Sequence, residues 1–393
     1  MPALGRNYII AGAGITGLTL ALTLAKFGAN VTVLERAEAL QEFGAGIQVS
    51  PNARRILDRL GLGEALSQSS LEPLALDTYA SGATKPLVSL ELGPLMHERF
   101  GAPYAVMHRA DLAEALYKAT RRFANIDVLF GVRHWDARSD ERGVAVDIER
   151  ASGQTQTLRA LALLGADGVH SQTRQAILGG PAAAFGGRVA WRTLVPFDAV
   201  AGQIAMDRVS VFFSRGHHLV CYPLAHREQV NLAIFLPGSA DKAQAFPSVR
   251  TRGGPIDALM GAAGDSWTPW PLHTVTTPTW HRGNIGIIGD AAHAMVPFQA
   301  QGAAMGIEDA AVLAPLLVES QGAEAALARF ASLRQPRVAK ISALSASNGR
   351  IFHMPWPLSL GRNMVMRLQG RRAHLRRLGW IYGHDVGNGP AHS

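Results

Sequence analysis

The sequence predicts an α/β protein: a Rossmann-like domain with a parallel sheet, an inserted domain of mostly antiparallel β-sheet, and helices at the C-terminus. Three observations predict it. The run Gly12-Ala13-Gly14-Ile15-Thr16-Gly17 fits G-x-G-x-x-G and lies between an apolar strand and an apolar helix. Three β-rich runs follow one another through residues 209–236 with no helix between them, which calls for an antiparallel sheet. A strand-then-helix pattern returns over 284–318, so the first domain resumes after the second.

Each element has its own signal. Tyr8–Ala11 is a short apolar run, read as a buried strand. Ile15–Phe27 is read as a helix, because Leu18, Leu22 and Ala25 recur at helical spacing. Asn30–Leu34 is the next strand, and the three make a βαβ unit with a right-handed crossover. Ser50-Pro51 opens a helix, with Ser50 as N-cap and Pro51 in the first position, running through Ile56, Leu57 and Leu60 to Gly61. Val209–Phe213 and His218–Tyr222 flank Ser214-Arg215-Gly216-His217, a hairpin signal, and Val230–Leu236 is the third strand of that group. Asn284–Ile288 reads as a strand and Gly302–Val318 as a long apolar helix.

Composition narrows the classes. With 393 residues, 48% hydrophobic and 17% charged, the chain buries a sizeable core and is not disordered. No run of about 18 uninterrupted apolar residues reads as a membrane span, and the N-terminus lacks the pattern of a secretory signal. The single cysteine, Cys221, excludes an internal disulfide and a multi-cysteine zinc site, so a reducing, cytoplasmic setting is expected and no metal site is expected. Net charge is +8, from 38 Lys+Arg against 30 Asp+Glu. Much of the excess falls within 361–383, where Arg362, Arg367, Arg371, Arg372, Arg376 and Arg377 occur without an acidic residue. No recognisable nucleic-acid module carries these charges, so no nucleic-acid partner is expected. Interspersed with the arginines are Met364, Val365, Leu368, Leu375, Leu378 and Trp380. This basic, apolar segment suits packing on its own protein or a homodimer partner, or a weak contact with a membrane surface.

The glycine run has a chemical reading. Gly12 permits the tight turn, Gly14 a close approach of the backbone to a pyrophosphate, and Gly17 close packing of helix on strand. The helix N-terminus then offers unpaired N–H groups to phosphates. Glu35 ends the second strand, where an acid accepts hydrogen bonds from a ribose. Two further strands end in Gly-Asp or Asp-Gly: Gly165-Ala166-Asp167-Gly168, and Gly286-Ile287-Ile288-Gly289-Asp290. Soon after the second comes Gln301-Gly302-Ala303-Ala304-Met305-Gly306, a glycine entry into a helix that runs on through Glu308 and Asp309. Acids at strand ends beside a helix N-terminus suit a ligand rich in hydroxyls that develops negative charge.

With these motifs in order, the sequence resembles the class A flavoprotein monooxygenases, and more narrowly the salicylate hydroxylase and 3-hydroxybenzoate 6-hydroxylase branch. The resemblance spans about Asn7 to Ser347. It also rests on Gly44-Ala45-Gly46-Ile47-Gln48-Val49-Ser50-Pro51-Asn52, His108-Arg109-Ala110-Asp111-Leu112 and Ala190-Trp191-Arg192. It implies FAD, reduced by NADH or NADPH, and an O2-dependent hydroxylation of a small phenol, aromatic acid or heteroaromatic. A flavin hydroxylase acting at a membrane surface on a lipophilic quinone precursor is the alternative. FAD contacts are expected at Gly12, Gly14, Gly17, Glu35, Arg36, Gln48, Arg109, Asp167, Gly168, Gly289, Asp290, Gly302 and Ala303. The resemblance implies Glu35 at the adenosine ribose with Arg36 near it, Arg109 at the pyrophosphate and Asp290 at the ribityl chain. Asp167 would serve both FAD and the nicotinamide nucleotide. The helix from Gly302 would point its N-terminus at the flavin. In these terms the FAD-binding domain takes 1–75, 101–180 and 280–350, the substrate domain 76–100 and 181–279, and a basic helical segment 351–393.

The pocket is read from alternation. Period 2 along His218–Tyr222 puts His218, Val220 and Tyr222 on one sheet face, with His217, Leu219 and Cys221 on the other. A phenolate is attacked far more readily than a phenol, and a neutral His near pH 7 can take or share the phenol proton. His218 is therefore the candidate base, with Tyr222 and Gln301 orienting the ring. Pro297 and Phe298 are expected to cover the flavin. Trp191, Cys221 and the Met305/Ile307/Leu313 stripe are expected to be core.

Overall fold

The computed structural model describes residues 3–40, 45–241, 244–249 and 253–386, and not the side chains of 370–372. Gly44, Arg371 and Arg372 of the motifs above lie outside what it describes.

The glycine motif sits in a six-stranded sheet. Asn7–Ala11 pairs in parallel with Asn30–Leu34 on one side and Ala162–Gly165 on the other. Ile126–Leu129 extends the sheet beyond Asn30–Leu34, and Ile285–Ile287 extends it beyond Ala162–Gly165. Four chain segments far apart in sequence thus end side by side at one edge, where an open α/β sheet takes its ligand. The helix Ile15–Lys26 packs on Gly302–Glu319, and Met305, Ile307 and Leu313 are buried there as core.

A seven-stranded sheet forms the second layer. Its order runs from Thr268–Thr274 through Ala184–Pro196, Gln229–Pro237, His217–Leu224 and Arg208–Ser214 to Ala75–Tyr79 and Val88–Glu91. All neighbours are antiparallel except Arg208–Ser214 with Ala75–Tyr79. The hairpin reverses at Arg215-Gly216, since Ser214 and His217 are the last paired residues. One face buries Trp191, Leu219, Cys221 and Ile234 against Ile256 and Leu259 of the helix Pro255–Ala263. Burial pushes the Cys221 thiol up to about 12, so it packs as an inert apolar group. The other face is left for the site.

Two features were not read from the sequence. Val132–Asp140, Gly143–Arg150 and Thr155–Ala160 form an antiparallel meander whose outer strands are largely polar, with exposed pairs such as Arg138–Asp147. Ala323–Phe352 is one helix of 30 residues despite Pro336 inside it. The basic C-terminal segment, expected to be helical, carries the helix Leu358–Tyr382. Arg362 is buried in it, donating to the Ile351 and Phe352 carbonyls and lying 4.7 Å over the Phe213 ring. Leu360, Met364 and Leu368 are exposed at helical spacing. Among the described residues no helix is long and apolar enough to cross a membrane.

One correction concerns Ser50. It occupies the N-cap position of the helix Pro51–Arg59, but its side chain makes no cap hydrogen bond. The hydroxyl donates to Asn52 Oδ1 and accepts from Gln301 Nε2. That link opens a buried network. Asn52 Nδ2 donates to Glu308, Glu308 also accepts from Arg334 and Arg337, and Asp309 accepts from Arg334, from the Gly289 N–H and from His293. Burial alone would raise the Asp309 carboxyl, yet His293 and Arg334 beside it hold it down at about 2. Because that lies below the ordinary 3.8, the stability Asp309 contributes is complete above pH 4 and is lost as pH falls toward 2. Arg334→Met leaves two buried carboxylates short of a partner and should cost about 3–5 kcal/mol. Urea denaturation measures this; a loss below about 1 kcal/mol would show that the network contributes little net stability.

Candidate active site

The glycine loop builds a phosphate cradle. Gly12 has φ +106°, and a Cβ there would meet the Ala166 carbonyl at 2.5 Å. A Cβ on Gly17 would stand 1.9 Å from the Gly12 carbonyl, so the loop closes only on hydrogen at both places. Gly14 caps the helix Ile15–Lys26, and the first intrahelical bond runs from Leu18 N to Gly14 O. The N–H groups before Leu18 are left without helical partners, which is what a pyrophosphate needs. Glu35 stands beside the loop: Oε2 accepts from the Ala13 N–H and Oε1 from the Ala37 N–H. Arg36 is exposed.

Further along, Asp167 accepts from Ser171 Oγ through one oxygen and from the Thr173 N–H and hydroxyl through the other. Its carboxylate therefore shapes its own turn, with Gly168 at φ +76°. Gly289, at φ +59°, precedes Asp290, whose exposed side chain lines the central cavity. Arg109 opens the helix Arg109–Thr120, capped by His108, and it also lines the cavity. So do Gly302 and Ala303, first residues of the helix Gly302–Glu319, which brings its N-terminus to the same end. Gln48 is there too, its amide oxygen accepting from Tyr104 OH.

The cavity is about 1320 Å³. One small ligand needs far less, since drug-sized pockets run to about 300–1,000 Å³. The excess has room for a second flat group beside the substrate. Its floor is the free face of the seven-stranded sheet, and register makes it a grid. His218 faces Phe235, Val220 faces Ala233 and Tyr222 faces Asn231; beyond Ala233 comes Arg192. All seven line the cavity, as the alternation predicted for His218, Val220 and Tyr222. Phe298 also lines it, edge-on to His218 at 5.2 Å, so it packs on the His218 end.

Three of these side chains carry ionisable groups. His218 is 1% exposed, and burial, with positive groups nearby, holds it well below its ordinary range, so the ring is neutral at pH 7. Burial raises the Tyr222 hydroxyl, which stays protonated; it lies over Gly46, where a Cβ would meet it at 2.3 Å. Arg192 is desolvated enough to lower its pKa, and the Trp270 ring, Tyr222 and Arg109 stand near it.

Gln301 requires correction. Its side chain is 1% exposed and does not line the cavity; the amide is spent on Ser50 and Asn52. It cannot orient a ring there. The sequence reading also passed over Arg192, quoted only as part of a motif, and Tyr104. The signal for Arg192 was period-2 register with the His218 strand, which needs the pairing to be known.

A family model described as FAD binding domain matches residues 7–345. The chain belongs to that family. It is 31% identical over 391 residues to 3-hydroxybenzoate 6-hydroxylase 1 of Aquipseudomonas alcaligenes, covering 97% of this chain and 98% of that one. To a 3-amino-4-hydroxybenzoate 2-monooxygenase of Streptomyces platensis it is 34% identical over 398 residues, covering 96% of each. A salicylate hydroxylase substrate complex has the same fold, with TM-score 0.76 and 24% identity over 97% of this chain and 96% of that one. The protein is an FAD-dependent monooxygenase of the aromatic hydroxylases, using reduced nicotinamide nucleotide and O2.

The cradle fits FAD: two glycines whose Cβ atoms would block it, an uncapped helix N-terminus, and a cavity larger than one ring requires. Glu35→Gln and Asp290→Asn should each weaken FAD retention by about 10–100-fold, the worth of one hydrogen bond to a charged group. Fluorescence of FAD released on dilution reads this. Retention equal to wild type in both variants would remove these carboxylates from the FAD site.

Proposed function

We propose that the enzyme hydroxylates a phenolic acid, with His218 taking the phenol proton and Arg192 holding the acid group. The observation that carries it is the pairing of Arg192, through Ala233, with the strand of His218 on one cavity face. With strands about 4.8 Å apart, Arg192 stands two strands, or roughly 10 Å, from Val220. A ring with a hydroxyl at one end and an anionic group at the other spans such a floor. Tyr222, about 13 Å along the strand from His218 at 3.3 Å per residue, closes the far side.

When bound, FAD supplies the electrons taken from NAD(P)H and the activation of oxygen. The chain's own residues prepare the ring. Arg192 counters the acid group and favours a second negative charge on the ring oxygen. His218 accepts the phenol proton at the ring nitrogen not bonded to His353. Phe235 and Phe298 keep water from the ring. Glu35, Arg36, Asp167, Gly168 and Arg109 are assigned to the nucleotide end of FAD, and Gln48, Asp290, Gly302 and Ala303 to the flavin end. The exposed stripe Leu360–Met364–Leu368 supports a homodimer or membrane-surface contact through the C-terminal helix, and the chemistry requires neither.

Two variants test the assignment. His218→Ala should keep NAD(P)H oxidation but lose hydroxylation by about two to four orders of magnitude, with hydrogen peroxide released instead. Peroxide and product are measured side by side; wild-type coupling would remove His218 from the chemistry. Arg192→Met should raise KM for 3-hydroxybenzoate about 10–100-fold, the worth of a charged hydrogen bond, and leave KM for phenol unchanged. Equal losses for both compounds would mean that Arg192 does not read the carboxylate.

A further inference from the structure

We infer that His353 is the second station of a proton path leading from the substrate hydroxyl through His218 to the protein surface. The inference rests on the reading of His218 as the base. His218 Nδ1 and His353 Nε2 lie 2.8 Å apart, a hydrogen bond in which one ring donates and the other accepts. The His218 ring is fixed in that orientation. It stacks on Phe235 at 4.4 Å and 8°, with the edges of Phe298 and Phe352 each at 5.2 Å. His218 is enclosed, whereas His353, at the end of the helix Ala323–Phe352, is partly exposed. The pair therefore runs from the cavity floor outward.

The surroundings explain why a second station is needed. Burial depresses His218, and His353, Arg188 and His217 add to it. Burial also pulls His353 down to about 3, with Arg188, His217 and Arg362 adding to it. Among the described residues, the charged groups that act on the two rings are Arg188 and Arg362, with His217 beside them, and none is an acid. A ring held neutral this way cannot store a proton, but it can pass one on. The phenolic O–H breaks as an N–H forms at His218 Nε2. The N–H at His218 Nδ1 breaks as one forms at His353 Nε2, and the proton at His353 Nδ1 leaves to water. No electrons change hands, and one proton is exported. The brief positive charge on His353 sits at a helix C-terminus, where cations are favoured. The phenolate stays in the cavity with Arg192.

The test mixes holoenzyme with 4-hydroxy-3-nitrobenzoate, a phenolic acid whose phenolate absorbs in the visible, in a stopped-flow instrument at a pH below the compound's own phenol pKa, so that it arrives protonated. Wild type should form bound phenolate rapidly. His353→Phe should slow this by at least about tenfold, and added imidazole should restore the rate. His353→Gln keeps an acceptor for His218 but cannot carry a proton, so it should be as slow as His353→Phe. An unchanged flavin spectrum shows that both variants are folded. Wild-type rates in the two His353 variants, or slow rates that imidazole does not rescue, would overturn the relay. His218→Ala separates the two readings. If it forms phenolate at the wild-type rate, the base assignment fails and the relay with it. If it is slow while both His353 variants are fast, the relay alone fails.

Discussion

The arrangement of the site depends on the buried charge network around Glu308 and Asp309. Both carboxylates are 0% exposed, a costly place for charge unless every oxygen is answered. They are answered from three other parts of the chain. Asn52 comes from the helix Pro51–Arg59, Gly289 and His293 from the turn around Asp290, and Arg334 and Arg337 from the long helix Ala323–Phe352. Gln301, at the entry to the carboxylates' own helix, joins through Asn52. The network thus sets where Asp290 stands and where the helix N-terminus at Gly302 points. It also anchors the helix whose far end carries His353.

The second constraint is the pleat of the seven-stranded sheet. One face is a dry layer with Trp191, Leu219 and Cys221, and the other is the cavity floor. A slip of one residue in the strand His217–Leu224 would swap His218 for His217 and Tyr222 for Cys221. Pairing on both sides forbids it, because Arg208–Ser214 and Gln229–Pro237 each meet this strand in an unbroken register. The network holds the turn at Asp290 and the helix entry at Gly302, and the register holds the sheet face that floors the cavity.

Much of this was legible in the sequence because the signals are local. The glycine loop, the strand ends at Glu35 and Asp290, and the alternation of His218, Val220 and Tyr222 each need only a few neighbouring residues. What escaped needs contacts between distant segments. Gln301 is adjacent to cavity-lining residues in sequence, yet its amide turns toward Ser50 and Asn52, about 250 positions away in the chain. Ser50 looked like a helix cap, but the same network claimed its hydroxyl. Glu308 and Asp309 lay within a quoted motif, and only folding showed them facing Arg334. Arg192 and His353 join His218 through strand register and a helix end, which alternation along one strand cannot reveal.

The central claim is that the sheet face, read from His218 to Arg192, orients the ring. A structure of the FAD-loaded enzyme with 3-hydroxybenzoate tests it most directly. The account predicts the phenol oxygen within hydrogen-bond distance of His218 Nε2 and the carboxylate on the Arg192 guanidinium. A ring turned end for end, with its carboxylate at His218, or seated away from this face, would contradict it.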